Sequence, residues 1–130
     1  MKKIWVSLIM VLILLAFTAC NFNNVTSTVK DGTYILEQTG TNAVILPSVT
    51  ITNEDISFRY DSLSSYLPIG SYKIKGNILT MTTNDGKCKY VFLIDRDKLI
   101  FQKDESAEVN LIDDRLGIKI TDNAIFKLKK

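Results

Sequence analysis

The side chains of this 130-residue chain that could do covalent or acid–base chemistry are few: two cysteines, Cys20 and Cys88, some carboxylates, and no histidine. Without histidine there is no Ser-His-Asp or Cys-His arrangement, no His-based zinc site and no side chain that ordinarily titrates near neutral pH. Two carboxylate groupings, Asp95-Arg96-Asp97 and Asp113-Asp114, offer the oxygens a calcium ion takes. A calcium loop spaces its ligands at alternate positions around a glycine, which neither grouping does, so both read as solvated turn residues. The glycines, Gly32, Gly40, Gly70, Gly76, Gly86 and Gly117, stand singly in turns and form no phosphate-cradling loop. With no site in view, the expectation is a protein that is not an enzyme, with no cofactor and no metal.

The two thiols sit in different surroundings. Cys88 lies in Lys87-Cys88-Lys89-Tyr90-Val91-Phe92, in register with Tyr90, Phe92 and Ile94. Lysines beside a thiol lower its pKa and make it reactive, but along a strand the next residue points to the opposite face. Cys88 is therefore expected as a small core hydrophobe, with a redox or ligand role as the alternative. Cys20 ends a basic start (Lys2, Lys3), an apolar run from Ile4 to Phe17 and the small residues Thr18 and Ala19. Those are the three parts of an export signal.

Phe17-Thr18-Ala19-Cys20 resembles the lipobox of bacterial lipoproteins, with Phe17 where that family usually has Leu. The resemblance implies cleavage between Ala19 and Cys20, a diacylglycerol thioether on the Cys20 sulfur, and acylation of the new amino group in some members. Two or three acyl chains, at about 0.8 kcal/mol per buried CH₂, hold a protein on a bilayer far more firmly than one. An uncleaved anchor and a plain secretory signal are the alternatives. The apolar run is short of the about 20 residues a span needs, and a polar stretch follows it rather than a charged stop. The expected location is the extracytoplasmic face of a cell membrane, lipid-anchored. In a Gram-positive source that is the cytoplasmic membrane; in a Gram-negative one, Asn21 after Cys20 points to the outer membrane.

Removing residues 1–19 takes away Lys2 and Lys3, so the sixteen basic residues fall to fourteen and match the fourteen acidic ones. Nucleic-acid binding needs a basic surplus to neutralise phosphates, so no nucleic-acid partner is expected. Asn21 to Lys30 is polar and without helical period, and reads as a flexible tether reaching about 15–20 Å. The expected organisation is thus a signal peptide at 1–19, a lipidated cysteine and tether at 20–30, and one β domain at 31–130.

The domain is a succession of short alternating runs with no sustained helical period. Strands are expected at 33–37, 48–52, 55–60, 70–75, 78–83, 87–95, 98–102 and 124–129. Asn53-Glu54, Gly76-Asn77, Asn84-Asp85-Gly86 and Arg96-Asp97 supply the turn chemistry between them. Alternation points Tyr34, Leu36, Ile56, Phe58, Tyr60, Tyr72, Ile74, Leu79, Met81, Tyr90, Phe92, Ile94, Leu99, Phe101, Phe126 and Leu128 inward. Arg59, Lys73, Lys75, Thr80, Thr82, Lys89 and Lys127 point out. Val91 and Leu93 make their strand apolar on both faces, so something is expected to cover its outer side. Residues 61–69, with Leu63, Tyr66 and Leu67, read as a turn packed over one barrel end. The long stretch 104–123 is expected to add short strands at 107–112 and 117–120, since loops of this length usually hide structure or function.

Gly32-Thr33-Tyr34, Gly70-Ser71-Tyr72-Lys73-Ile74-Lys75-Gly76-Asn77-Ile78-Leu79, Tyr90 to Asp95 and the closing Phe126-Lys127-Leu128 resemble the lipocalin-like domains of bacterial surface lipoproteins. Together with Leu46-Pro47-Ser48 and Asp61 to Pro68, they are also similar to the extracellular segment of membrane regulatory peptidases of the BlaR type. The resemblance implies an all-β fold, a small up-and-down lipocalin-like antiparallel barrel of about eight strands after an N-terminal signal helix. It brings no catalytic residue, because the peptidase's HExxH zinc site requires histidine.

The leading expectation is a membrane-anchored, non-catalytic interaction module that meets an envelope protein, a glycan or a peptide. Its surface would be Leu63, Tyr66 and Leu67, or the outer side of Val91 and Leu93. The alternative is a carrier of a small apolar ligand inside the barrel, and an enzyme-binding protective lipoprotein is a third class. Large inward side chains on short strands favour a filled interior, and hence the first.

Overall fold

Eight runs in which polar and apolar residues alternate form eight antiparallel strands: β1 (Gly32–Leu36), β2 (Ser48–Thr52), β3 (Asp55–Arg59), β4 (Ile69–Lys75), β5 (Ile78–Thr83), β6 (Lys89–Asp95), β7 (Lys98–Phe101) and β8 (Ile125–Leu128). They come from a computed structural model that describes residues 25–38 and 45–130; the expected signal helix, Ala19 and Cys20 lie outside the described residues. Each strand pairs with the next, and β8 pairs back onto β1 through Tyr34↔Leu128 and Leu36↔Phe126. The result is a closed up-and-down barrel, in which every strand has two neighbours and no edge is left to recruit another chain.

The inward alternation holds. Tyr34, Leu36, Ile56, Phe58, Leu79, Met81, Tyr90, Phe92, Ile94, Leu99, Phe101 and Phe126 are buried, joined by Val49 and Ile51 of β2. Tyr60, Tyr72, Ile74 and Leu128 are half-buried and pack against that cluster. Phe58 is the hub: its ring meets Tyr60, Tyr90, Phe92 and Phe126 edge to face and Phe101 at a tilt, with centroids 5.2–5.8 Å apart. These are the separations aromatic quadrupoles favour, so the interior is filled by interlocking rings.

The strands expected at 107–112 and 117–120 are absent, because a closed barrel offers them no edge. After β7 the chain instead follows β6 a little further. Gln102 donates its N–H to the Val91 carbonyl, residues Lys103–Glu105 loop out as a 3-10 turn, and Ala107 donates to the Lys89 carbonyl. The Ser106 hydroxyl fills the gap, accepting from the Val91 N–H at 2.8 Å and donating to the Gln102 carbonyl at 2.7 Å. Beside this turn Val91 is only 2% exposed. The outer side of β6 is thus covered at Val91 by the protein's own next segment, while Leu93 stays half-buried on the outside.

Up-and-down connectivity sends alternate connections to opposite ends. One end carries the N-terminal entry to β1 and the two-residue turns Asn53-Glu54, Gly76-Asn77 and Arg96-Asp97. The other carries the connections β1–β2, β3–β4, β5–β6 and β7–β8, which hold every longer loop. The described part of the expected tether is not free. Ser27 donates its N–H to the Gly76 carbonyl at 2.8 Å, and Val29 packs against the core. The Tyr34 hydroxyl donates to the Lys30 carbonyl at 2.9 Å and accepts from the Lys30 N–H. Asp31 accepts from the Asn53 N–H at 2.9 Å. The Lys30–Asp97 ion pair, 3.0 Å, lies in solvent and adds little. Val29 and the backbone bonds are what fasten this segment, a contribution that polarity and missing helical period do not reveal.

Candidate functional site

The loop end is organised around one buried carboxylate. Asp61, at the exit of β3, is 5% exposed and accepts from the Leu63 N–H at 2.9 Å and from the Ile112 N–H at 2.7 Å. The first bond is an Asx turn that shapes the β3–β4 connection. The second ties that connection to the long β7–β8 loop, fifty-one residues away in sequence. An Asp61→Ala variant leaves both N–H groups without their charged acceptor and is expected to lose about 2–3 kcal/mol. The check is a urea titration with unchanged m; a loss below about 0.5 kcal/mol would mean that the two loops hold each other by other means.

Held this way, the β3–β4 connection presents Leu63 at 47% and Tyr66 at 49% exposure, with Leu67 half-buried. Tyr66, Leu67 and Ile69 face Thr83, Asn84 and Asp85 of the β5–β6 turn across a depression of about 170 Å³. Thr83, itself buried, braces that turn: its hydroxyl donates to Asp85 at 2.6 Å and accepts from the Cys88 N–H at 3.0 Å. That hydroxyl and the Lys87 N–H hold the Asp85 carboxyl below the usual carboxylate range. A second, larger depression of about 370 Å³ lies in the β7–β8 loop, between Lys103–Asn110 and Lys119–Ile120.

Cys88 packs half-buried against the core at the same end, as its register predicts. Burial raises the pKa of the Tyr90 hydroxyl, with Tyr60 and Cys88 close enough to raise it further. The carboxylate pairs do not converge. Asp97 sits at the opposite end with Lys30, while Asp113 accepts from the Arg115 backbone N–H, Nε and Nη2 within 3.1 Å. The Arg115 guanidinium and backbone N–H hold the Asp113 carboxyl below its ordinary range.

The structure therefore brings together Leu63, Tyr66 and Leu67 and separates them from the other expected surface. Val91, covered by its own chain, offers no surface; Leu93 is half-buried on the outside of β6. Sequence reading missed Asp61 as the organising residue, although Asp-Ser-Leu at 61–63 is a recognisable Asx-turn signal. It also missed Thr83 as the brace of the β5–β6 turn. The fold and site geometry define a filled, closed eight-stranded barrel with one elaborated end. No protein-family model matches the chain, and no match is found among curated proteins or solved structures.

Proposed function

We propose that the chain is a lipid-anchored, non-catalytic extracytoplasmic interaction module. Cys20 holds it at the cell membrane, and the loop end of the barrel meets an envelope protein or a cell-wall glycan. The observation that carries this reading is the division of labour between the two ends. The chain arrives from Cys20 at the end made of two-residue turns, while Leu63 and Tyr66 are exposed among the longer loops at the other end. A module anchored through the first end leaves the second free for a partner. Rings packed around Phe58 favour this over a carrier, since an interior filled by side chains has no room for an apolar ligand. Formal neutrality after residue 19 favours protein or glycan over nucleic acid.

Fractionation of source cells tests the anchor. Cys20→Ala is expected to move the protein from the membrane fraction to the soluble or unprocessed pool; unchanged membrane association overturns the lipid anchor. The loop end is tested by capture of solubilised envelope proteins and purified cell wall on immobilised protein. Loss of capture in a Tyr66→Ala, Leu63→Ser variant with unaltered thermal unfolding supports it, and undiminished capture overturns it. Native mass spectrometry that finds a retained small apolar molecule instead moves the reading to the carrier.

A further inference from the structure

We infer that the barrel does not swing free on its anchor but lies against the lipid surface through the outer faces of β5 to β8. The inference rests on the lipid-anchor reading. Strand register sets four apolar side chains side by side on the outside of the barrel: Ile78 opposite Leu93, Leu93 opposite Ile100, and Ile100 opposite Ile125. Cross-strand neighbours have Cβ atoms about 4.5–5.5 Å apart, so the four form one continuous stripe. Ile78 is 37% exposed and the other three are half-buried, with none belonging to the interior cluster. Elsewhere the outward positions carry Thr, Ser, Lys, Asp and Arg, apart from Ile35, Ile69 and the covered Val91.

What covers the stripe is indicated by where the chain comes from. The Ser27 N–H bond to the Gly76 carbonyl fixes the incoming segment two residues from Ile78. From Cys20 to Ser27 is seven residues, which reach no more than about 25 Å even fully extended. A lipid on Cys20 therefore keeps the end of the stripe close to the bilayer, and Val25, 78% exposed, adds an apolar side chain on the way. The flanking charges suit anionic head groups. Lys75 stands opposite Ile78, and Lys98 and Lys127 face each other below Ile100 and Ile125, with Asp95 set against Lys98. Apolar side chains lying in the interface with lysines at the head-group level is the ordinary chemistry of a peripheral membrane face.

The mature chain has no tryptophan if residues 1–19 are removed, because Trp5 is the one in the sequence. The test uses the lipidated protein in a Trp5→Phe background, with Leu93→Trp as reporter and Tyr66→Trp as control at the far end. Each is reconstituted into phosphatidylcholine–phosphatidylglycerol vesicles with brominated acyl chains. A face seated about 5–10 Å into the interface should cost the Leu93→Trp reporter about half its emission and leave Tyr66→Trp unquenched. Vesicle flotation with neither reporter quenched overturns the docking while the anchor stands. Equal quenching of both overturns the assignment of the face. Failure of the protein to float with vesicles overturns the anchor and the docking together. Should Leu93→Trp not fold, Ile78→Trp reports from the most exposed position of the stripe.

Discussion

Truncating Phe58 to alanine is expected to cost about 4–5 kcal/mol, the upper part of the range for a fully buried Phe. Four edge-to-face partners and a tilted fifth converge on this one ring, and each such pair adds about 0.5–1.5 kcal/mol beyond area burial, though not additively. Strands from across the barrel contribute those partners: Tyr90 and Phe92 from β6, Phe101 from β7 and Phe126 from β8. The surrounding wall is a closed hydrogen-bonded cylinder that cannot collapse onto the gap, so the cavity persists and its cost is felt in full. A domain of this size has about 5–15 kcal/mol in total, so the loss should lower Tm by roughly 20 °C. Urea and thermal unfolding measure it, with Phe58→Leu expected to lose far less. A loss below about 1 kcal/mol would place Phe58 outside the centre of the core.

That centre is legible in the sequence because a strand alternates with period two and a barrel imposes one inside. The reading puts strands at 48–52 and 78–83, where β2 and β5 run, and places Phe58, Tyr90, Phe92, Phe101 and Phe126 together on the inner face. Composition tells nothing of contacts that depend on tertiary closure. Asp61 reaches Ile112 across fifty-one residues, a pairing that local propensity does not encode. The same closure defeats the strands expected in the β7–β8 loop, whose alternation is genuine but finds no free edge. Val91 shows a partial reading. The two-faced apolar pattern of β6 announces a cover, and only the structure places the Lys103–Glu105 turn beside it. The candidate surface divides likewise: Tyr66 and Leu67 face the β5–β6 turn at the loop end and Leu63 is exposed on the same connection, whereas Val91 and Leu93 lie on β6.

Gly70→Ala is the second large effect expected, and it arises from backbone rather than from side-chain packing. At the start of β4 the chain turns out of the β3–β4 connection and is clasped on both sides, by Ile56 of β3 and Thr83 of β5. A methyl group at Gly70 would overlap the Thr82 carbonyl and crowd the Thr83 Cα, so neither neighbour can yield by rotating a side chain. Relief requires β4 and β5 to move apart, which breaks the Asn84 N–H bond to the Ile69 carbonyl and opens the barrel beside the proposed docking loop. Overpacking against movable side chains costs about 1–3 kcal/mol, and here at least about 3 kcal/mol is expected. Gly76→Ala is the matched control: it sits at φ +62 with nothing near its missing Cβ. Only the left-handed strain of about 1–2 kcal/mol applies there. The order of the two losses in urea titrations decides the matter. Gly70→Ala should unfold first by a wide margin, and a Gly70 variant as stable as the Gly76 one would mean that β4 and β5 are free to slide at this corner.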